Sequence, residues 1–247
     1  MSTPDFTYHD DDQEGLKTLE AVGRAIHFNR WMYDQVGPFL SGNILEIGSG
    51  IGNISAFFLE QNALLTLSDI RDHYCDALNE RFRQSNTLSG VININLVHPD
   101  FKTTYKSLEA SFDGAFALNV IEHIEKDSLA MKNLHWLLKP GGAVVILVPA
   151  GQVLYNKLDV HLEHFKRYDK PSLRRLLQGS GFKVNKLKYF NALGIPAWWV
   201  SGAVMKNRII KEGQMDIYEK LVPLAKLVDL LCGNLIGLSV IGYAVKE

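Results

Sequence analysis

The chain has 247 residues, of which 47% are hydrophobic, 21% are charged and 10% are aromatic, and its formal net charge is -1. This composition is typical of a globular protein and excludes a disordered chain, a collagen-like chain and a disulfide scaffold. The near-neutral balance lacks the basic surplus of a general nucleic-acid-binding protein, so no nucleic acid is expected as a partner. Cys75 and Cys232 share no metal-ligand spacing and favour a reducing compartment, here the cytoplasm.

No targeting segment is expected from the sequence. Residues 10–14 are acidic, which is the reverse of a signal peptide. The apolar stretch at 195–205 is too short to span a bilayer, and charged residues interrupt the apolar stretch at 221–238. Both apolar stretches are therefore predicted to be parts of a folded domain.

The predicted elements alternate between helices and strands in chain order. Helical periodicity indicates the helices, and short apolar runs bounded by turn residues indicate the strands. Helices are predicted at 16–40, 53–61, 71–83, 127–138 and 171–178, and strands at 43–47, 64–67, 91–97, 112–118, 143–148, 182–190 and 238–245. This alternation predicts an α/β fold with a doubly wound, mostly parallel sheet that is covered by helices on both faces.

A glycine-rich segment follows the first predicted strand, at the sheet edge where ligands of such folds bind. Its sequence at 46–52 is EIGSGIG, and glycines let the backbone turn sharply and approach a ligand closely. The dinucleotide fingerprint would place a third glycine at Asn53, so the spacing here differs from it. A tight strand-to-helix turn without a ligand remains the alternative for this segment alone.

Acidic residues follow the next two predicted strands. Asp69 lies about 20 residues beyond the glycine loop, where a carboxylate can accept hydrogen bonds from both hydroxyls of a ribose. The alternative is that Asp69 caps the following helix. After the third strand, Asp100 can accept a hydrogen bond from an exocyclic amine and Phe101 can lie on a purine, or the pair can belong to a turn and the core.

Five motifs follow one another along the chain: ILEIGSGIG at 44–52, Asp69, Asp100 with Phe101, FDGAFALNVIEHI at 112–124 and LLKPGG at 137–142. In this order they make the chain resemble the class I S-adenosylmethionine-dependent methyltransferases. The resemblance covers residues 20–190 approximately, with a last strand at 239–246. It implies a Rossmann-like sheet of seven strands in which the last strand is antiparallel and lies next to the sixth.

The resemblance also implies S-adenosyl-L-methionine as the cofactor and S-adenosyl-L-homocysteine as the product. Glu46 and the glycine loop are expected beside the methionine part, with Asn119 below it, while Asp69 is expected at the ribose and Ile70 at the adenine. The implied cofactor-binding residues are Glu46, Gly48, Ser49, Gly50, Gly52, Asp69, Ile70, Asp100, Phe101 and Asn119.

Three histidines near the predicted ligand site are candidates for catalysis: His123, His161 and His164. An acceptor hydroxyl benefits from a general base, and imidazole is the usual one. Alternatively, His123 is a packing residue of its motif, and the 159–168 segment is a lid fixed by its own hydrogen bonds. The acids and histidines at 159–164 match no recognised metal-ligand spacing, so no metal is expected.

The parts of the chain outside the family motifs are expected to hold the methyl acceptor. Residues 1–40 are predicted to form an N-terminal helical lid, and residues 191–237 a helical insertion before the last strand. The insertion can wall an apolar pocket, form a homodimer face, touch a membrane surface through Lys206, Arg208 and Lys211, or add to the core. The candidate acceptor-binding residues are Tyr33, Tyr155, Arg167, Tyr168, Asn191 and Trp198.

The sequence thus predicts one domain over 1–247, with a cofactor-binding core at 41–190 and the last strand at 238–247. The predicted function is methyl transfer to a small-molecule or lipid-like acceptor, at oxygen, because histidines are concentrated on the acceptor side. Two alternatives stay open: a non-catalytic S-adenosylmethionine-binding regulatory module and a nicotinamide-dependent oxidoreductase. Asn53 at the third glycine position argues against the oxidoreductase.

Overall fold

The computed structural model describes residues 13–201 and 212–247. Within these ranges the chain forms one sheet of seven strands. The strands are β1 (Asn43–Ile47), β2 (Leu64–Asp69), β3 (Leu88–Asn93), β4 (Phe112–Leu118), β5 (Leu138–Pro149), β6 (Phe182–Phe190) and β7 (Ser239–Lys246). Their order across the sheet is β3-β2-β1-β4-β5-β7-β6.

The directions of the strands confirm the predicted fold class. β1 pairs in parallel with β2 and β4, and the outer pairs β2–β3 and β4–β5 are also parallel. β7 lies between β5 and β6 and runs antiparallel to both. The chain moves outward from β1 to β3 and then crosses back to β4, so the crevice of the fold lies at the carboxyl ends of β1 and β4.

Helices cover the sheet and fill the connections between its strands. The α-helices are α1 (Gln13–Gly23), α2 (Ile26–Val36), α3 (Ser55–Glu60), α4 (Asp72–Phe82), α5 (Phe101–Thr104), α6 (Asp127–Leu137), α7 (Lys157–His161), α8 (Lys170–Gly179), α9 (Gly194–Trp199) and α10 (Glu212–Leu231). Single turns of 3-10 helix lie at Gly37–Phe39, Lys106–Leu108, Ile121–His123 and Gln152–Leu154.

Two apolar layers hold these helices against the sheet. Side chains point alternately to the two faces of β4, so Ala115 and Ala117 belong to the layer under α6 and α8, whereas Phe116 belongs to the other layer. On that other face the ring of Phe116 stacks on Phe58 of α3, with 4.6 Å between the ring centres. Because both faces of β4 are buried, its sequence is an almost continuous run of apolar residues.

The single helix predicted at 16–40 is two helices, because α1 ends at Gly23 and α2 begins at Ile26. α10 of the insertion packs against α2, and Val222 is buried in their shared apolar layer. The Glu219 carboxylate of α10 accepts hydrogen bonds from the backbone N–H groups of His27 and Phe28. A carboxylate at the N-terminus of α2 is favourable, so the N-terminal segment and the insertion form one structural layer.

The start of the insertion is fixed by a buried carboxylate of α10. Asp229 accepts hydrogen bonds from the backbone N–H groups of Asn191 and Ala192, both at 2.7 Å. Lys206, Arg208 and Lys211, on which the predicted membrane contact depends, lie outside the described residues. In the part of the chain that is described, no helix has the length and apolar character needed to cross a bilayer.

Candidate active site

A cavity of about 1540 Å³ opens at the carboxyl ends of β1, β2 and β4. Its walls come from the glycine loop after β1, from α1, from the segment around α7, and from α9 and α10. Pockets for single small ligands measure about 300–1,000 Å³. The cavity therefore has room for a cofactor and a second molecule side by side.

The glycine loop at 48–52 is shaped so that its backbone faces this cavity. Gly48 and Gly50 have φ angles of 70° and 53°, a region that side-chain-bearing residues rarely adopt. A Cβ atom on Gly48 would also overlap with the side chain of Val120. The Ser49 N–H donates to the Ser68 carbonyl at 2.8 Å, which anchors the loop to the end of β2.

Two buried carboxylates stand on either side of the glycine loop. Asp69 accepts hydrogen bonds from the backbone N–H groups of Gly50 at 2.9 Å and Arg71 at 3.1 Å. Glu46 accepts a hydrogen bond of 2.5 Å from the Ser55 hydroxyl, and its burial raises its pKa to about 7. Both residues belong to the wall of the cavity.

Most of the predicted cofactor-binding residues meet at this end of the cavity. The residues on its wall are Glu46, Gly48, Ser49, Gly50, Asp69, Ile70 and Asn119. Asn119 has a positive φ of 54° directly after β4, so its backbone turns along the wall.

The structure corrects the expected positions of Gly52, Asp100 and Phe101, which do not line the cavity. Gly52 faces the side chains of α4, and a Cβ there would meet the ring of Phe82. Asp100 is exposed, and Phe101 begins α5 with its ring packed in the core beside Trp136. The chain reaches the cavity earlier after β3, where Ile94 and Leu96 form the wall.

On the opposite side, the segment after β5 is organised around the carboxylate of Asp159. Asn156 caps α7 and starts the turn that buries Asp159 completely. Asp159 Oδ1 lies 2.8 Å from His164 Nδ1 and accepts a hydrogen bond of 2.8 Å from Arg167 Nε. Although burial opposes it, the hydrogen bonds from His164 and Arg167 hold the pKa of Asp159 below its usual value.

Glu122 and His123 face His164 across the same end of the cavity. Glu122 is fully buried, and burial raises its pKa to about 8. The rings of His123 and His164 meet edge to face, with 4.7 Å between their centres. Burial and the neighbouring His164 lower the pKa of His123 to about 3, so His123 is neutral at pH 7.

Arg167 connects this segment to the insertion. Its guanidinium donates to the Ala150 carbonyl at 3.1 Å and lies over the ring of Trp198, 4.6 Å from the ring centre. Tyr155 donates its hydroxyl hydrogen to the His164 carbonyl at 2.6 Å. Four of the candidate acceptor-binding residues line the cavity: Tyr155, Arg167, Asn191 and Trp198.

Two predicted acceptor-binding residues lie away from the cavity, and their prediction is corrected. The ring of Tyr33 packs against Phe57 and Phe58 of α3, on the far side of α2. Tyr168 is buried and donates its hydroxyl hydrogen to Asp127 Oδ2 at 2.8 Å. Both side chains therefore serve packing.

Glu122 is not among the predicted site residues, although it directly precedes His123. Its position just after β4, at the sheet edge where ligands bind, is the feature of the sequence that could have indicated a role in the site. The predicted candidate His161 also lines the cavity, but it does not belong to the group formed by Glu122, His123 and His164.

A doubly wound sheet with a glycine loop after β1 and an acid at the end of β2 defines a Rossmann-like class that binds nucleosides at this edge. The family model described as a methyltransferase domain matches residues 23–187. The chain therefore belongs to the methyltransferase-domain family, and the predicted class I S-adenosylmethionine-dependent methyltransferase is confirmed. This assignment favours the methyltransferase over the nicotinamide-dependent oxidoreductase.

Three similar proteins illustrate the range of this family. O-methyltransferase rstn1 of Aspergillus nomiae is 25% identical over 181 residues, which cover 70% of this chain and 78% of that protein. The S-adenosyl-L-methionine-dependent Diels-Alderase iccD of Talaromyces variabilis is 28% identical over 104 residues, 42% of this chain and 35% of that protein. Phosphoethanolamine N-methyltransferase 2 of Haemonchus contortus, solved with S-adenosyl-L-methionine, has a TM-score of 0.63 and 16% identity over 96% of this chain and 59% of that one.

Proposed function

We propose that the chain transfers a methyl group from S-adenosylmethionine to a hydroxyl oxygen of a small, largely apolar or lipid-like acceptor. The observation that carries the proposal is the cavity of about 1540 Å³ described above. It joins the glycine loop and Asp69 at one end to His164 at the other, where the buried Asp159 carboxylate lies behind the His164 ring. Methyl transfer needs donor and acceptor held in line next to each other, and much of the rate comes from that positioning.

The residues at the β1 and β2 end fit the cofactor. Glu46 and the backbone of the glycine loop would hold its methionine part, Asp69 its ribose hydroxyls and Ile70 its adenine. A Cβ at position 48 would collide with the side chain of Val120, so glycine is needed for the loop to pass this close to the end of β4. When bound, the cofactor supplies a methyl group on a sulfonium centre whose positive charge is lost on transfer.

His164 is the group that we assign to the proton of the acceptor hydroxyl. Its Nδ1 lies against the Asp159 carboxylate, which accepts a hydrogen bond, so the proton of the neutral ring sits on Nδ1. Nε2 is then free to accept the proton that the acceptor loses. The similarity to an O-methyltransferase agrees with oxygen as the methylated atom.

The wall between these two ends supports an apolar acceptor. Trp198 and Phe190 line it together with Ile217 and Leu221 of α10. Beyond the cavity, Leu224 and Leu231 continue the apolar face of α10 at helical spacing, with 49% and 77% of their surfaces exposed. A long apolar acceptor would bury some of this surface.

Labelled S-adenosylmethionine tests the proposal. The purified chain is incubated with phenols, quinols, long-chain alcohols and sugars, and the products are identified by mass spectrometry. We expect a methyl ether on an apolar hydroxyl compound. Products methylated at nitrogen or carbon would contradict the oxygen assignment, and cofactor binding without any transfer would instead favour the regulatory-module alternative.

Cofactor affinity is expected to depend on pH through Glu46. Its pKa of about 7 means that the carboxylate becomes ionised between pH 6 and pH 8. The ionised form attracts the positively charged groups of S-adenosylmethionine, so affinity should rise about tenfold over this range. Titration calorimetry at several pH values measures this rise, and Glu46→Gln, which stays neutral, should abolish it. An equal rise in the variant would show that another group is responsible.

A further inference from the structure

Three side chains at the acceptor end of the cavity point ligand atoms at one another. Glu122, His123 and His164 each offer one such atom, and these atoms all lie within 4.8 Å of one another. The distance between Glu122 Oε1 and His164 Nε2 is 4.0 Å. The three residues come from two separate segments, the turn after β4 and the turn after α7.

The carboxylate of Glu122 has no hydrogen-bond donor among the described residues. The side chain is fully buried, and neither Oε1 nor Oε2 has a partner. A buried carboxylate without a donor or a cation is costly, because burial removes its hydration. The charge of Arg167 lowers the pKa of Glu122, but Arg167 Nε donates to Asp159, and neither oxygen of Glu122 is hydrogen-bonded to it.

Each of the two histidines makes one hydrogen bond to a protein acceptor, which leaves its other ring nitrogen free. His164 Nδ1 is bonded to the Asp159 carboxylate at 2.8 Å, and His123 has a backbone hydrogen bond to Leu162. Each ring therefore turns a lone pair towards Glu122. A carboxylate or carbonyl behind an imidazole is the arrangement that orients histidines for metal binding and fixes their tautomer.

We propose that Glu122, His123 and His164 form a binding site for a divalent transition-metal ion of the Zn²⁺ type. The carboxylate and the two imidazoles bring their ligand atoms to within 4.8 Å of one another, so one cation can be bound by all three. Two imidazoles and one carboxylate suit Zn²⁺, Co²⁺ or Mn²⁺ better than Mg²⁺ or Ca²⁺, which prefer oxygen ligands. Three protein ligands leave a coordination position open towards the cavity.

The sequence predicted no metal because the spacing at 159–164 matches no metal-ligand pattern. In the structure, only His164 of that run belongs to the proposed site, and Asp159 supports it from behind. The site goes beyond the proposed function in one respect. With an ion bound, His164 Nε2 would be a ligand and the cation would supply a Lewis acid that makes the acceptor hydroxyl more acidic; without the ion, Nε2 accepts the acceptor proton as proposed above.

Metal content tests this site without any methyl acceptor or cofactor. The untagged full chain is treated with a chelator, dialysed and titrated with Zn²⁺ and Co²⁺. We expect one tightly bound Zn²⁺ per chain by elemental analysis, and a Co²⁺ absorption spectrum typical of nitrogen and oxygen ligands. Because neither reading involves transfer, a failed acceptor screen and a failed metal titration are separate results.

The variants Glu122→Gln and His123→Gln should each lose the bound ion, whereas Glu163→Gln should keep it. Glu163 is an exposed acid directly before His164 on the turn after α7, so it lies close to the proposed site without belonging to the group of three ligands. Thermal unfolding of every variant checks the fold, and His123→Gln carries the test if Glu122→Gln does not fold. No retained Zn²⁺ in the wild-type chain, or equal retention in folded Glu122→Gln, would overturn the proposal.

Discussion

Replacing Asp69 with alanine is expected to weaken S-adenosylmethionine binding about 100-fold. A carboxylate at the end of β2 would accept hydrogen bonds from both ribose hydroxyls, and hydrogen bonds to a charged group contribute about 1.5–3 kcal/mol each. Losing about 3 kcal/mol corresponds to roughly a 100-fold weaker complex. Titration calorimetry with the cofactor and with its demethylated product measures the change.

Asp69 also holds the backbone of Gly50 and Arg71, so the variant needs a matched control. Asp76→Ala removes an exposed acid from α4 of the same connection and should leave affinity unchanged. Thermal unfolding of both variants separates damage to the glycine loop from loss of the ribose contact. An Asp69→Ala chain that binds as tightly as wild type would refute the ribose assignment.

The second large effect is expected for His164→Ala, which should reduce kcat by roughly 100- to 10,000-fold. The imidazole stands at the acceptor end of the cavity, away from the glycine loop, so cofactor affinity should change by no more than about twofold. Both values are needed: kcat from labelled-methyl transfer to the acceptor found in the screen, and the cofactor Kd from calorimetry.

His161→Ala is the comparison for this prediction. His161 lines the same cavity, but it stands outside the group that Glu122 and His123 form with His164. A much smaller loss of kcat is therefore expected for it. If His164→Ala lowered cofactor affinity and kcat together, the 159–168 segment would act as a lid over the cofactor, and the assignment of His164 to the acceptor proton would be wrong.

Strands could be predicted most closely where the apolar run ends at a turn residue. The predicted bounds of β4 (Phe112–Leu118) and β6 (Phe182–Phe190) are those of the structure. β3 begins at Leu88 and ends at Asn93, earlier than the predicted run at 91–97, because its half-exposed residues give a weak pattern. α7 was missed because five residues are too few to show helical periodicity.

Side-chain contacts across the chain could not be predicted in the same way. Phe101 has the residue type for stacking on a purine, yet its ring is buried beside Trp136, 35 positions away in sequence. The position of Tyr33 in the predicted lid favours a role in acceptor binding. In the structure α2 turns it towards α3, and no local pattern specifies how a helix is rotated against its neighbour.

The sequence by itself determined the class of fold, the glycine loop and the acids at the ends of the first strands. These features depend on neighbouring residues, since alternation of apolar runs and the conformational freedom of glycine are local properties. Only the tertiary structure decided which groups meet: it set the Glu122 carboxylate 4.0 Å from His164 and placed Asp159 behind that ring. Contacts of this kind depend on how the turns after separate strands pack against one another, and the spacing of residues in the sequence does not encode that packing.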